Sequence, residues 1–173
     1  SGKVKPDVTT FGEKALSTNN PPAKIIERIS PKICGRENYI PSLIITPSGS
    51  TVLDFGREIT GWAEFEAYIP RGGEVKLSYG EILQNGEFYR DNLRTAKAEF
   101  IAVGDERTRK FRPHFTFFGF RYVKVDRLNL KSEDVNKFIG KAIYSDLPIG
   151  GKIISSNEKL NRFIENVFQS QKD

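Results

Sequence analysis

Three observations predict a mainly β chain, an antiparallel two-sheet β-sandwich with one C-terminal amphipathic α-helix. Short β-rich runs separated by turn residues recur along most of the 173 residues, with no strand–helix–strand rhythm. Convincing helical spacing is confined to one stretch near the end. The run FRPHFTFFGFRYVKV, Phe111 to Val125, carries five of the thirteen phenylalanines. Read as one central strand, it sends Phe115 and Phe117 to one face and Phe118, Phe120 and Tyr122 to the other, so both faces need cover. Pro113 then sits near the strand start, and Gly119 marks a bulge or a close backbone approach.

In chain order, residues 1–20 are polar, without sustained period, and read as a leader or linker. The sandwich is expected over 21–148. Its first edge strand is Ala23 to Ile29, ended by Ser30-Pro31. Leu43 to Thr46 and Thr51 to Phe55 follow as short strands around the turn cluster Pro47-Ser48-Gly49-Ser50. In Trp62 to Ile69, Ala63, Phe65, Ala67 and Ile69 alternate with Glu64 and Glu66, the pattern of a half-buried strand. After the turn Pro70 to Gly73, Val75, Leu77 and Tyr79 alternate in a strand expected to pair with it. Asn85-Gly86 signals a tight turn, Phe88 to Lys97 an irregular crossing, and Ala98 to Val103 a strand. Arg107, Arg109, Lys110 and Arg112 are expected to flank a solvated turn. Phe138 to Tyr144 closes the sandwich.

Residues 149–173 form a linker and a helix. Ser155-Ser156-Asn157-Glu158 fits a capping box, and Leu160, Phe163, Ile164, Val167 and Phe168 follow at helical spacing. That stripe has no helical partner in the sequence. A bundle beginning here would cover it; otherwise it folds back, frays, or meets another copy of the chain. With no methionine and a terminal Ser-Gly, the chain reads as a piece of a longer protein.

Composition narrows the function. Hydrophobic residues make up 38% and aromatics 12%, enough for a real core. The net charge of +5 is mild and spread along the chain, which disfavours nucleic acid as a partner. No apolar run is long enough for a membrane span. A single cysteine, Cys34, leaves stability to packing. Metal-ligand spacing, nucleophile elbows and phosphate-cradling loops are absent, so neither metal nor cofactor is expected. His114, the one histidine, has no acidic partner nearby in the sequence and reads as structural. Glu64, Glu66 and Glu81 could suggest a glycosidase pair, but the first two occupy the solvated side of an alternating strand. No catalytic residue is therefore nominated. Among the aromatics Tyr39, Trp62, Tyr79 and Tyr89, any could stack on a sugar ring. Arg94 and Arg121 are expected to anchor the irregular segment or the strand beside it.

Several ordered stretches resemble one family. Asp54-Phe55-Gly56 with Gly61-Trp62 comes first. Glu81-Ile82-Leu83 then leads through Gly86 to Asn92-Leu93-Arg94-Thr95-Ala96, and Phe111 to Val125 follows with Pro113, Phe115 and Gly119-Phe120-Arg121-Tyr122. Together these are similar to the concanavalin-like, jelly-roll-type domain of bacterial α-L-rhamnosidases. Ser145-Asp146-Leu147-Pro148, Gly151, Ser156-Asn157, Leu160-Asn161, Asn166 and Ser170-Gln171 resemble the start of that family's (α/α)₆ catalytic barrel. Departures are Ala98-Glu99, where members often carry Thr-Asp, and Ser155, where many carry Cys. The resemblance implies a parent enzyme that hydrolyses terminal α-L-rhamnose with inversion, using barrel acids that lie beyond Asp173. This chain would then be a non-catalytic sandwich supporting the barrel. Its partner would be the remainder of the parent chain, with rhamnose-containing carbohydrate as a further ligand at Trp62, Tyr89, Asn92 and Arg94. The alternative is an independent carbohydrate-binding module, and a nucleic-acid-binding sandwich is a third reading. The compartment is not encoded in any feature of the sequence.

Overall fold

The computed structural model describes residues 23, 24 and 26–172. The expected leader, 1–20, lies outside the described residues. Among the described residues, ten strands and one α-helix follow in order: β1 (Ile33–Tyr39), β2 (Ser42–Ile45), β3 (Thr51–Ile69), β4 (Glu74–Gly80), β5 (Ile82–Gln84), β6 (Glu87–Tyr89), β7 (Glu99–Val103), β8 (Arg107–Phe111), β9 (Phe118–Asp126), β10 (Phe138–Ser145) and α1 (Glu158–Lys172). The sheets are antiparallel and curled, and the main strand order is β1-β10-β3-β9-β4-β7, with β2 and β8 also on β3 and β5–β6 a separate hairpin.

β3 ties the layers together. It is one strand of 19 residues, where the sequence suggests two, because the register shift between Asp54 and Ile59 interrupts its alternation without ending its pairing. One edge takes β2 along Thr51–Asp54 and β10 along Gly61–Phe65. The other takes β9 and then β8. Gly61 is required where β3 meets β10, since a Cβ there would stand 1.8 Å from the Lys141 carbonyl oxygen. Inward residues of these strands form the core: Leu53, Phe55, Ile59, Phe65, Leu77, Tyr79, Phe120, Val123 and Phe138 are all buried. Phe65 is stacked on Phe138 at 5.1 Å and on Phe111 at 5.3 Å between centroids. Tyr79 lies on Phe118 at 4.1 Å.

The aromatic run is central, as expected, but it is two strands rather than one. Along β3 the pairing moves four residues, from Phe65 to Gly61, while the opposing chain moves seven, from Phe111 to Phe118. The surplus leaves the ladder as a loop over 112–117. Pro113 has no N–H to offer the ladder, and Phe115 turns to φ 59, so Phe115 and Phe117 point to solvent instead of covering a sheet face. The basic residues Arg107, Arg109 and Lys110 lie within β8, not around a turn, with their side chains exposed.

Three further expectations change. The described residues of Ala23 to Ile29 form no strand, and Ile26 and Ile29 are exposed. The edge strand is β1, paired with β10. β4 does not pair with β3, although the turn between them is present and Gly73 N–H donates to Pro70 O at 2.9 Å. β9 lies between the two, and β4 pairs with β9 and β7. This explains why Ser78 and Gly80 are buried alongside Val75, Leu77 and Tyr79: β4 is covered on both faces. Finally, α1 is capped by Asn157, whose Oδ1 accepts from Lys159 N at 3.0 Å and Leu160 N at 3.3 Å, rather than by a serine.

Candidate functional site

The irregular segment is braced from both ends. β5 and β6 close over Asn85-Gly86, whose φ values of 52° and 78° suit the tight hairpin turn. Glu87 accepts from Ser48 N at 2.6 Å and Ser48 Oγ at 2.7 Å, fixing the hairpin to the β2–β3 turn. After β6 a single 3₁₀ turn, Asp91–Leu93, ends at Arg94 with φ 54.

The anchoring arginine is Arg90, not Arg94. Arg90 Nη1 donates to Glu99 Oε1 at 2.9 Å and Lys76 Nζ reaches the same oxygen at 3.1 Å. Those contacts hold the Glu99 carboxyl below its usual range, the Arg90 hydrogen bond being the strongest influence. Arg94, at positive φ, has its side chain exposed. Arg121 anchors as expected: Nε and Nη2 bond the two oxygens of Asp54 at 2.9 and 3.0 Å. Gly56 N–H adds a bond of 2.7 Å to the same carboxylate. Burial alone would raise the Asp54 pKa, and these three donors outweigh it, so it is lowered. The pair closes the β3 register shift.

Of the four residues nominated for ligand contact, three share one segment. Tyr89 is half-buried, while Asn92 and Arg94 are exposed. Asn92 Nδ2 donates to Glu81 Oε2 at 2.8 Å, a pairing the sequence did not suggest. Phenol, amide, carboxylate and guanidinium on this segment offer both donors and acceptors, a set suited to a polyol. Trp62 stands apart on β3, paired in register with Lys141, with its Nε1 3.5 Å from Glu64 Oε2. His114 is exposed on the 112–117 loop. Among the described residues no three His, Cys, Asp or Glu side chains cluster to hold a metal ion. A concavity of about 1160 Å³ lies elsewhere, between β1, β10, residues 146–152 and the last turn of α1.

Residues 44–144 match the bacterial alpha-L-rhamnosidase concanavalin-like domain. The chain belongs to this family. An alpha-L-rhamnosidase of Alteromonas sp. (strain LOR) is 26% identical over 168 residues, 96% of this chain and 17% of that protein. An alpha-L-rhamnosidase of Formosa agariphila is 31% identical over 127 residues, 72% of this chain and 14% of that protein. The crystal structure of native α-L-rhamnosidase from Aspergillus terreus superposes with a TM-score of 0.74 at 30% identity, covering 82% of this chain and 17% of that one. The chain thus spans about one sixth of the length of these relatives, which are larger rhamnosidases.

Proposed function

We propose that this concanavalin-like domain is a non-catalytic β-sandwich of an α-L-rhamnosidase, supporting a helical catalytic barrel in the same polypeptide. On this reading 21–148 is the accessory sandwich, and 149–173 carries the linker and the first barrel helix. Hydrolysis of terminal α-L-rhamnose belongs to carboxylates elsewhere in the parent. One observation carries the reading: the sandwich closes its own core, whereas α1 contributes no buried residue. Phe163 and Val167 are 63% and 52% exposed, although a fully buried side chain of this kind is worth about 1.5–3 kcal/mol. A glycosidase needs two carboxyl groups set across the sugar, whereas Glu81 is bonded to Asn92 and Glu64 stands 3.5 Å from Trp62 Nε1. The isolated chain is therefore expected to leave an aryl rhamnoside intact while the full-length parent cleaves it. Turnover by the chain alone, abolished by Glu64→Gln or Glu81→Gln, would overturn the proposal.

The second reading, an independent carbohydrate-binding module, is favoured by the exposed Glu81–Asn92 pair on the segment that also carries Tyr89 and the exposed Arg94. Titration calorimetry with L-rhamnose and rhamnose-bearing oligosaccharides separates the two. Heat lost on Arg94→Ala without a change in melting supports the module, and no heat supports the purely supporting domain. Without a barrel, the open stripe of α1 has a second copy of the chain as its available partner. Sedimentation should show self-association at high concentration, returned to monomer by Phe163→Asp with Val167→Asp.

A further inference from the structure

The last turn of α1 rests on the sandwich by its polar side. Lys172 Nζ lies 2.5 Å from Glu37 Oε1 and 5.1 Å from the centroid of the Tyr144 ring. Tyr144 Oη donates to that same carboxylate oxygen at 2.9 Å, and Tyr39 Oη donates to the other. One turn earlier, Gln169 Nε2 donates to the Glu58 carbonyl at 3.4 Å, and Gln169 Oε1 accepts from Arg57 Nη1 at 3.4 Å. The Arg57 guanidinium in turn stands 5.5 Å over the Tyr39 ring. Strands β1, β3 and β10 each contribute to this cluster. The Glu37 carboxylate is formed under all ordinary conditions: burial alone would raise its pKa, but Lys172, Tyr39 and Tyr144 outweigh that and lower it to about 2.

This arrangement runs against the simplest packing. An amphipathic helix tethered to a domain ordinarily lays its apolar stripe on that domain. Apolar surface is within reach, since the cleft under α1 is lined by Ile33, Phe117, Ile143 and Leu147. Yet at about 3.6 residues per turn, Gln169 and Lys172 share one side of α1 and Leu160, Phe163 and Val167 the opposite side, with half-buried Ile164 and the cleft-lining Phe168 between them. Leu160, Phe163 and Val167 are all exposed. Partly exposed ion pairs contribute little net stability, and the best-attested use of such pairs is to select one geometry over others.

We propose that Glu37, Tyr39, Tyr144 and Lys172, with Arg57 and Gln169, form a polar latch that orients α1 and keeps Leu160, Phe163 and Val167 of its apolar stripe turned away from the sandwich. The latch is a property of this chain and does not depend on α1 belonging to a catalytic barrel. It is tested with spin labels at Thr108→Cys and Asn166→Cys in a Cys34→Ser background, at a concentration where the chain is monomeric. The intact chain should give one narrow distance. Lys172→Ala and Glu37→Gln should each broaden it, with amides of 166–172 exchanging about tenfold faster and the melting temperature held by the sandwich core. Lys172 lies at the surface, so its variant folds even where a β1 substitution does not. A broad distance in the latch-intact chain, or a narrow and unmoved one in Lys172→Ala, would overturn the latch. Neither outcome touches the domain assignment, which rests on the separate activity assay.

Discussion

The sandwich and α1 carry apolar patterns of similar strength and meet opposite fates. Phe65, Phe120 and Phe138 are buried to within about 2% of full cover, while Phe163 and Phe168 keep 63% and 43% of their surface. The strands find their cover inside the chain because β3 brings four others to its two edges. α1 meets the sandwich through polar contacts of Gln169 and Lys172, with Phe168 as its one stripe residue lining the cleft against β1 and β10. An apolar stripe therefore specifies that a face needs a partner, and the location of that partner is set by everything else in the fold.

The sharpest way to expose this difference is to truncate one phenylalanine in each region. Phe65→Ala removes a ring stacked between two others and should cost about 3–5 kcal/mol. Phe163→Ala should stay within about 0.5 kcal/mol. Chemical denaturation reads both, and equal losses would mean that α1 is part of the sandwich core. Next in size is the closure of the β3 register shift. Asp54→Ala and Arg121→Ala should each cost about 1–2 kcal/mol, and the double variant little more than either, because both remove the same bidentate pair. Loss of the helix cap follows. Asn157→Ala should weaken α1 by about 1 kcal/mol, visible as faster amide exchange in the first turn, while the global midpoint stays with the sandwich. The smallest effect is from pH. The Glu37 pKa is depressed on folding from 4.5 to about 2. Its contribution is complete above about pH 4.5 and drains away as pH falls toward 2. Exchange at the end of α1 should therefore be flat from pH 5 to 8 after correction for intrinsic rates, and rise relative to the core below pH 4. A rise between pH 6 and 8 would assign the docking of α1 to another group.

Local pattern made some parts of this fold legible and left others hidden. Alternation identified the inward residues of β4, the Asn-Gly signal the turn at Asn85-Gly86, and helical spacing the stripe of α1, because each depends on neighbours within a few positions. Strand order was not legible. β9 separates β3 from β4 through pairs such as Leu53 with Val123, and nothing near Leu53 announces a partner seventy residues on. The interrupted aromatic run was hidden for the same reason: the surplus over 112–117 exists only relative to β3. At the candidate site, side-chain type pointed to an arginine anchor in the irregular segment. The choice between Arg90 and Arg94 rests on Glu99, nine residues on across the irregular segment, which of the two only Arg90 reaches. The Glu37 latch joins residues 135 positions apart, beyond the reach of any motif.

The 19-residue β3 also fixes how the chain can fold as it is made. Its nearest partner in sequence, β2, is already synthesised when β3 emerges, but β8, β9 and β10 are not, and β10 is complete only at Ser145. At about 5–20 residues per second, the 76 residues from Ile69 to Ser145 take roughly 4–15 s to appear. During that interval a strand carrying Val52, Leu53, Phe55, Ile59 and Phe65 has open backbone edges, the condition under which strands pair with other chains. The long-range pairings that close it afterwards belong to the slow end of folding topologies. The open edges of β3 last until β8, β9 and β10 have all emerged, an interval independent of how stable the finished sandwich is.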